Sequence, residues 1–144
     1  MTDFNEAGAA LDDALDALAE QEWKARQAKP TRVLVCGSRH WTDAAQIRGM
    51  LDHQAAAYGP LTVIHGAAPG ADAIAGKWAR DNGHTELAFP ADWARHGAIR
   101  NQQMLLEGDP DIVVAFPVKE SRGTWDMVRR AENAGLPVYV WPAP

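Results

Sequence analysis

Three apolar, β-branched runs in this chain each end in a Gly-containing turn and pass directly into a helical pattern. They are Val33-Leu34-Val35-Cys36-Gly37-Ser38-Arg39, Val63-Ile64-His65-Gly66-Ala67-Ala68-Pro69-Gly70-Ala71-Asp72, and Ile112-Val113-Val114-Ala115-Phe116 followed by Ser121-Arg122-Gly123-Thr124. A continuous apolar run of this length reads as a parallel strand buried on both faces. In an open α/β sheet the ligand sits beyond the carboxyl ends of such strands. The turns there also bring helix N-termini, with unpaired N–H groups, around that ligand. The pattern therefore predicts a site for an anion, most simply a nucleotide phosphate.

The rest of the chain alternates in the same way. A helical segment over 4–28 ends at Lys29-Pro30, because the residue before a proline is pushed out of the α region. Strands are predicted at 32–36, 61–65, 85–89, 111–116 and 137–141. Helices are predicted at 43–58, 70–82, 98–107 and 124–134, the first capped by Thr42 or Asp43 and the last by Thr124. Residues 91–97 read as irregular. The expectation is an α/β domain over 30–144 with a doubly wound, mostly parallel sheet of about five strands, preceded by a helical arm over 1–29. That arm fits a helix packed on its own domain, a contact in a homodimer, or a frayed tail.

Composition narrows the partners. An apolar content of 47% and a charged content of 23% are those of an ordinary globular protein. A single Cys suits a reducing cytoplasm, and no apolar stretch reaches the length of a membrane span. The net charge of −5 is concentrated in the arm, where residues 1–29 hold seven acidic and three basic side chains. The remainder is near neutral and has no basic stripe for duplex DNA. Arg39, Arg95, Arg100 and Arg122 nevertheless fall in or beside the turns expected on one face. A local positive pocket in a near-neutral body points to a small nucleotide-derived anion as partner, with no membrane. No cofactor is indicated, and no metal: the histidines lack ligand spacing.

Several residues are candidates for that site. Gly37 allows a sharp turn, Ser38 offers a hydroxyl, and Arg39 offers a two-pronged donor for phosphate. Gly66 and Gly70 flank small residues in a loop that can form a nest of N–H groups. Asp72, in the first turn of a helix, serves either the helix dipole or a ribose hydroxyl. His65, at the end of a buried strand, reads as a core histidine before it reads as a catalyst. Arg100 opposes the dipole at the start of its helix, which points to a ligand role for it and for Asn101. Arg122, Gly123 and Thr124 place a helix end where a phosphate can bind, with Asp126 one turn further in. Cys36 reads as a buried, inert thiol. Trp78, Trp125 and Trp141 read as packing, and Trp93 as the best placed to stack on a base.

These pieces, in this order, resemble the SLOG superfamily of Rossmann-like domains and, within it, the branch related to YspA, found in bacteria and phages. The matching segments are Cys36-Gly37-Ser38-Arg39, His65-Gly66 through Asp72, Phe89-Pro90-Ala91-Asp92-Trp93, Arg100-Asn101 through Met104, and Ala115-Phe116-Pro117 through Val128. The resemblance implies a three-layer Rossmann-like α/β/α domain. The superfamily also includes LOG-type phosphoribohydrolases, whose PGGxGTxxE loop is altered here. Val118-Lys119-Glu120-Ser121 replaces the double glycine, and Met127 stands where the catalytic Glu is expected.

Three functions follow as expectations. The first is sensor-like binding of a nucleotide or nucleotide-derived phosphate, which needs no carboxylate at position 127. The second is an N-glycosidase or phosphoribohydrolase, with Arg100 as electrostatic stabiliser and Asp126 or Asp72 as the acid. The third is a protein-interaction module using the arm. A single-stranded DNA binder, also known in the superfamily, is disfavoured at this point by the near-neutral body and the lack of an aromatic-basic stripe.

Overall fold

Alternation along the strands divides the core in two. In β1 (Thr31–Gly37), Val33 and Val35 project to one face of the sheet and Leu34 and Cys36 to the other, as the period of two requires. On the first face they meet Ile47 and Leu51 of α2 (Ala44–Tyr58) and Ala75, Trp78 and Ala79 of α3 (Ala71–Asp81). On the second they meet Met104 of α4 (Gly97–Gly108) and Met127, Val128 and Ala131 of α5 (Arg122–Asn133). The computed structural model describes residues 4–90, 97–118 and 120–142, the side chains of 4–7 and 22–28 apart.

The remaining strands are β2 (Leu61–His65), β3 (Thr85–Ala88), β4 (Ile112–Phe116) and β5 (Val138–Val140). All neighbours pair in parallel, in the order β3-β2-β1-β4-β5. The chain runs outward from β1 to β3, then returns to place β4 on the other side of β1. Val33 is accordingly in register with both Val63 and Ile112. The strand order reverses between β1 and β4, so their following loops diverge and leave a crevice at the carboxyl ends. The expected class, three-layered and Rossmann-like, is the one observed.

The chain divides into two compact units, Met1–Pro30 and Thr31–Pro144. In the first, α1 (Phe4–Ala28) carries Leu11, Leu15 and Leu18 more than half exposed. Among the described residues, no helix is long and apolar enough to cross a membrane.

One helix start matches the reading of the sequence and one differs. Asp43 caps α2, its carboxylate accepting the Gln46 N–H. Helix α5 begins at Arg122, so Thr124 is not its cap but a buried residue of its first turn. Ser121 precedes it without capping, because its hydroxyl accepts the Val118 N–H at 3.1 Å instead.

Candidate functional site

The crevice is a cleft of about 760 Å³ walled by the three turns singled out in the sequence. Gly37, Ser38, Arg39 and His40 line it from the end of β1, and Gly66 through Pro69 with Asp72 from the end of β2. Val118, Glu120, Ser121, Arg122, Gly123 and Thr124 line it from the end of β4 and the start of α5. Arg100, Asn101 and Met104 close it from α4. Trp93 and Arg95 lie outside the described residues. His40 and Glu120 are lining residues that the sequence reading did not select. His40 could have been found from its place next to Arg39.

The loop after β2 does form a nest of N–H groups, but the anion in it is the chain's own. Asp72 Oδ2 accepts the Gly66 N–H at 3.1 Å and the Ala68 N–H at 3.3 Å. The Ala67 N–H donates to His65 Nδ1 at 2.9 Å, and the Ala71 N–H to the Ser38 carbonyl. The Gly66, Ala67 and Ala68 N–H groups of this loop are thus engaged within the chain. Burial pushes the Asp72 carboxyl above its ordinary value, even against the Ala68 and Gly66 N–H groups and the nearby His65 and Arg100.

Gly70 does not touch the cleft. Its φ is +78°, and a Cβ there would fall 2.6 Å from the Arg39 carbonyl. Its role is to let the β2 loop pass against the Ser38-Arg39 turn.

Asp72 Oδ1 and Arg100 Nε are both buried without a partner. Both side chains border Gly66: a Cβ on Gly66 would lie 3.2 Å from Arg100 Nε and 3.2 Å from Asp72 Oδ2. Arg100 donates through a terminal nitrogen to the Gly66 carbonyl at 3.1 Å. Behind the cleft, Nε2 of His65 faces Glu86 at 2.9 Å, and Arg80 pairs with the same carboxylate. Because Nδ1 accepts from Ala67, the ring proton sits on Nε2 and donates to Glu86. His65 is thus the satisfied core histidine the sequence suggested.

Asn101 is buried and ties α4 to α5, donating to the Gly123 carbonyl and to Asp126, each at 3.0 Å. Asp126 also accepts from Arg130 Nε at 2.8 Å. Burial raises its carboxyl, but Asn101, Arg130 and Arg129 outweigh this and hold it below the ordinary value. Asp126 is held behind Asn101 and is not among the residues lining the cleft, whereas Arg100 and Asp72 are. Met127 is fully buried in the core beneath α5. Cys36 is buried, and burial raises its thiol far above its ordinary value. Trp78 is buried as expected, but Trp125 and Trp141 are each 40% exposed.

Two cationic side chains of the cleft are free, beside the exposed carboxylate of Glu120. Arg39 and Arg122 are exposed, and among the described residues their guanidinium groups have no hydrogen-bond or ion-pair partner. The first N–H groups of a helix have no partner within it, and at α5 these belong to Arg122, Gly123 and Thr124. The Arg122 N–H donates to the Glu120 carbonyl. Gly123 and Thr124 face the cleft.

An open parallel sheet with a cleft at its switch point, lined by cationic groups and a helix N-terminus, defines a Rossmann-like α/β domain. The chain belongs to the YspA, cpYpsA-related SLOG family, whose model matches residues 31–96. It is 41% identical to the Gene 61 protein of Mycobacterium phage D29, over 74% of this chain and 93% of that protein. Among solved structures, its fold is similar to DNA processing protein A from Streptococcus pneumoniae, with a TM-score of 0.61, 20% identity and 82% of this chain covered. The chain spans about half (52%) of that protein's length. The corresponding protein of Helicobacter pylori is matched with a TM-score of 0.55 and 20% identity, over 82% of this chain and 68% of that one. The universal stress protein from Archaeoglobus fulgidus in complex with dAMP is matched with a TM-score of 0.52 and 14% identity, over 76% of this chain and 96% of that one. The Helicobacter pylori protein is described by its single-stranded DNA binding mode. The expectation of a small free compound as partner, with DNA set aside, is corrected by that neighbour, which shares the fold and is described by single-stranded DNA binding.

Proposed function

We propose that the cleft binds single-stranded DNA, holding one nucleotide by its phosphate at the carboxyl ends of the parallel strands. The observation that carries this is the pair of guanidinium groups, Arg39 and Arg122, that line the cleft with the α5 N-terminus and have no partner among the described residues. A guanidinium donates two parallel hydrogen bonds to a phosphate, and a helix N-terminus adds N–H donors and the positive end of its dipole. Two fold neighbours support a deoxyribonucleotide as the unit: one is described by single-stranded DNA binding, the other by its complex with dAMP.

In this reading Arg39, Arg122 and the N–H groups of Gly123 and Thr124 take the phosphate. Ser38 offers its hydroxyl proton, since its oxygen already accepts the His40 N–H. Gly37 and Gly66 shape the wall, and Gly70 lets the β2 loop pack behind it. Asp72 and Asn101 hold it in place, and Arg100 faces the sugar or base. No sensor role is needed for this binding, and no hydrolytic step is assigned.

The test is fluorescence anisotropy with a labelled oligodeoxythymidylate, using the full chain and its Arg39→Ala variant. Binding weakened about tenfold in the variant supports the reading, in line with one lost charged hydrogen-bond pair. Binding unchanged in the variant overturns it. So does saturable binding of dAMP with none of the strand.

A further inference from the structure

A second groove, of about 720 Å³, adjoins the cleft and shares Glu120, Ser121 and Arg122 with it. Its other walls are Trp125 and Arg129. We propose that this groove is a second subsite, which takes the base and phosphate of the neighbouring nucleotide on the same DNA strand. The inference rests on the reading of the cleft as a single-stranded DNA site.

Residues 122, 125 and 129 stand at helical spacing, so Arg122, Trp125 and Arg129 form one stripe along α5. The opposite stripe, Thr124, Met127, Val128 and Ala131, is buried. The indole of Trp125 is 40% exposed, although burial of a ring that size is favoured by packing alone. Arg129 is 68% exposed, and its contact with Asp126 is 4.0 Å long, so its charge remains available to a ligand. An exposed aromatic face between two guanidinium groups is the chemistry of single-strand binding: bases stack on the ring, and the cations follow the backbone. Glu120 lines both cavities and repels a phosphate at their junction. That favours the base on Trp125 and the phosphate toward Arg122 and Arg129. Arg122 lines both sites, so one strand can pass from the first to the second within reach of the same guanidinium.

The experiment compares wild type, Trp125→Ala, Trp125→Phe, Arg129→Ala and Arg39→Ala for binding of a labelled decamer of thymidylate. Unfolding curves confirm that each variant is folded. Loss of one stacked base predicts at least about a fivefold weakening in Trp125→Ala, largely restored in Trp125→Phe. Arg129→Ala, which changes a side chain outside the core, weakens binding and lowers its salt dependence. Wild-type affinity in both Trp125→Ala and Arg129→Ala, with Arg39→Ala weakened, removes the second subsite and leaves the first. No strand binding by wild type removes both.

Discussion

Asp72 Oδ2 lies 3.1 Å from the Gly66 amide nitrogen, and this bond closes the β2 loop around the chain's own carboxylate. Ala68 donates to the same oxygen. The loop is therefore pre-shaped before any ligand arrives, with its Gly66 and Ala68 N–H groups engaged by the chain itself.

Removing that carboxylate leaves one buried donor, the Gly66 N–H, and one partly buried donor, the Ala68 N–H, unsatisfied. Asp72→Ala is expected to lose about 2–3 kcal/mol of stability in urea unfolding. Asp72→Asn keeps an acceptor and loses much less. An Ala variant as stable as wild type would show that the loop is held by something else.

The same group sets a pH dependence. The Asp72 carboxyl is raised in the folded state, so its contribution to stability is greatest in acid and declines as pH rises above the unfolded value. Asp72→Asn lacks this loss. The stability of the Asn variant relative to wild type should therefore increase between about pH 4 and pH 7. A constant difference across that range would contradict the assignment.

Glu86 works in the opposite sense. The hydrogen bond from His65 holds its carboxyl below the ordinary value, against burial, and Arg80 adds to the effect. The contribution is present above the unfolded value and is lost as pH falls through the folded one. Glu86→Gln should cost about 1–2 kcal/mol at pH 7 and progressively less below about pH 4, measured by unfolding across pH.

Two glycines with nearly the same backbone separate strain from close packing. Gly70 and Gly83 have φ of +78° and +74°, but only Gly70 has neighbours where a Cβ would go. Gly83→Ala should cost about 1 kcal/mol from the left-handed conformation alone. Gly70→Ala should cost clearly more, because the Arg39 backbone must also move. Equal losses would mean that the Ser38-Arg39 turn yields freely.

The three strand-turn-helix segments were legible in the sequence because buried parallel strands leave unbroken apolar runs. Ile112 through Phe116 is such a run, and all five of its residues are buried. The direction of side chains was not legible. Nothing local to Asp72 reveals that its carboxylate turns back onto Gly66, six residues earlier, and fills the nest. The start of α5 was misplaced by two residues because Thr124 is a good cap by type, while the competing Ser121–Val118 bond forms only once the loop is folded. Asp126 looked free for chemistry; its partners Asn101 and Arg130 come together only when α4 packs on α5. The groove at Trp125 was missed because a tryptophan in an amphipathic helix reads as packing.

The most direct test of the central claim is the salt dependence of oligodeoxythymidylate binding by wild type and by Arg39→Ala/Arg122→Ala. Each phosphate contact on a single strand contributes roughly 0.7 to the slope of log affinity against log salt. The account predicts that the double variant, which loses the one phosphate contact of the cleft, binds more weakly and has a slope shallower by about 0.7. Equal affinities and equal slopes would place the strand elsewhere on the protein, or nowhere on it.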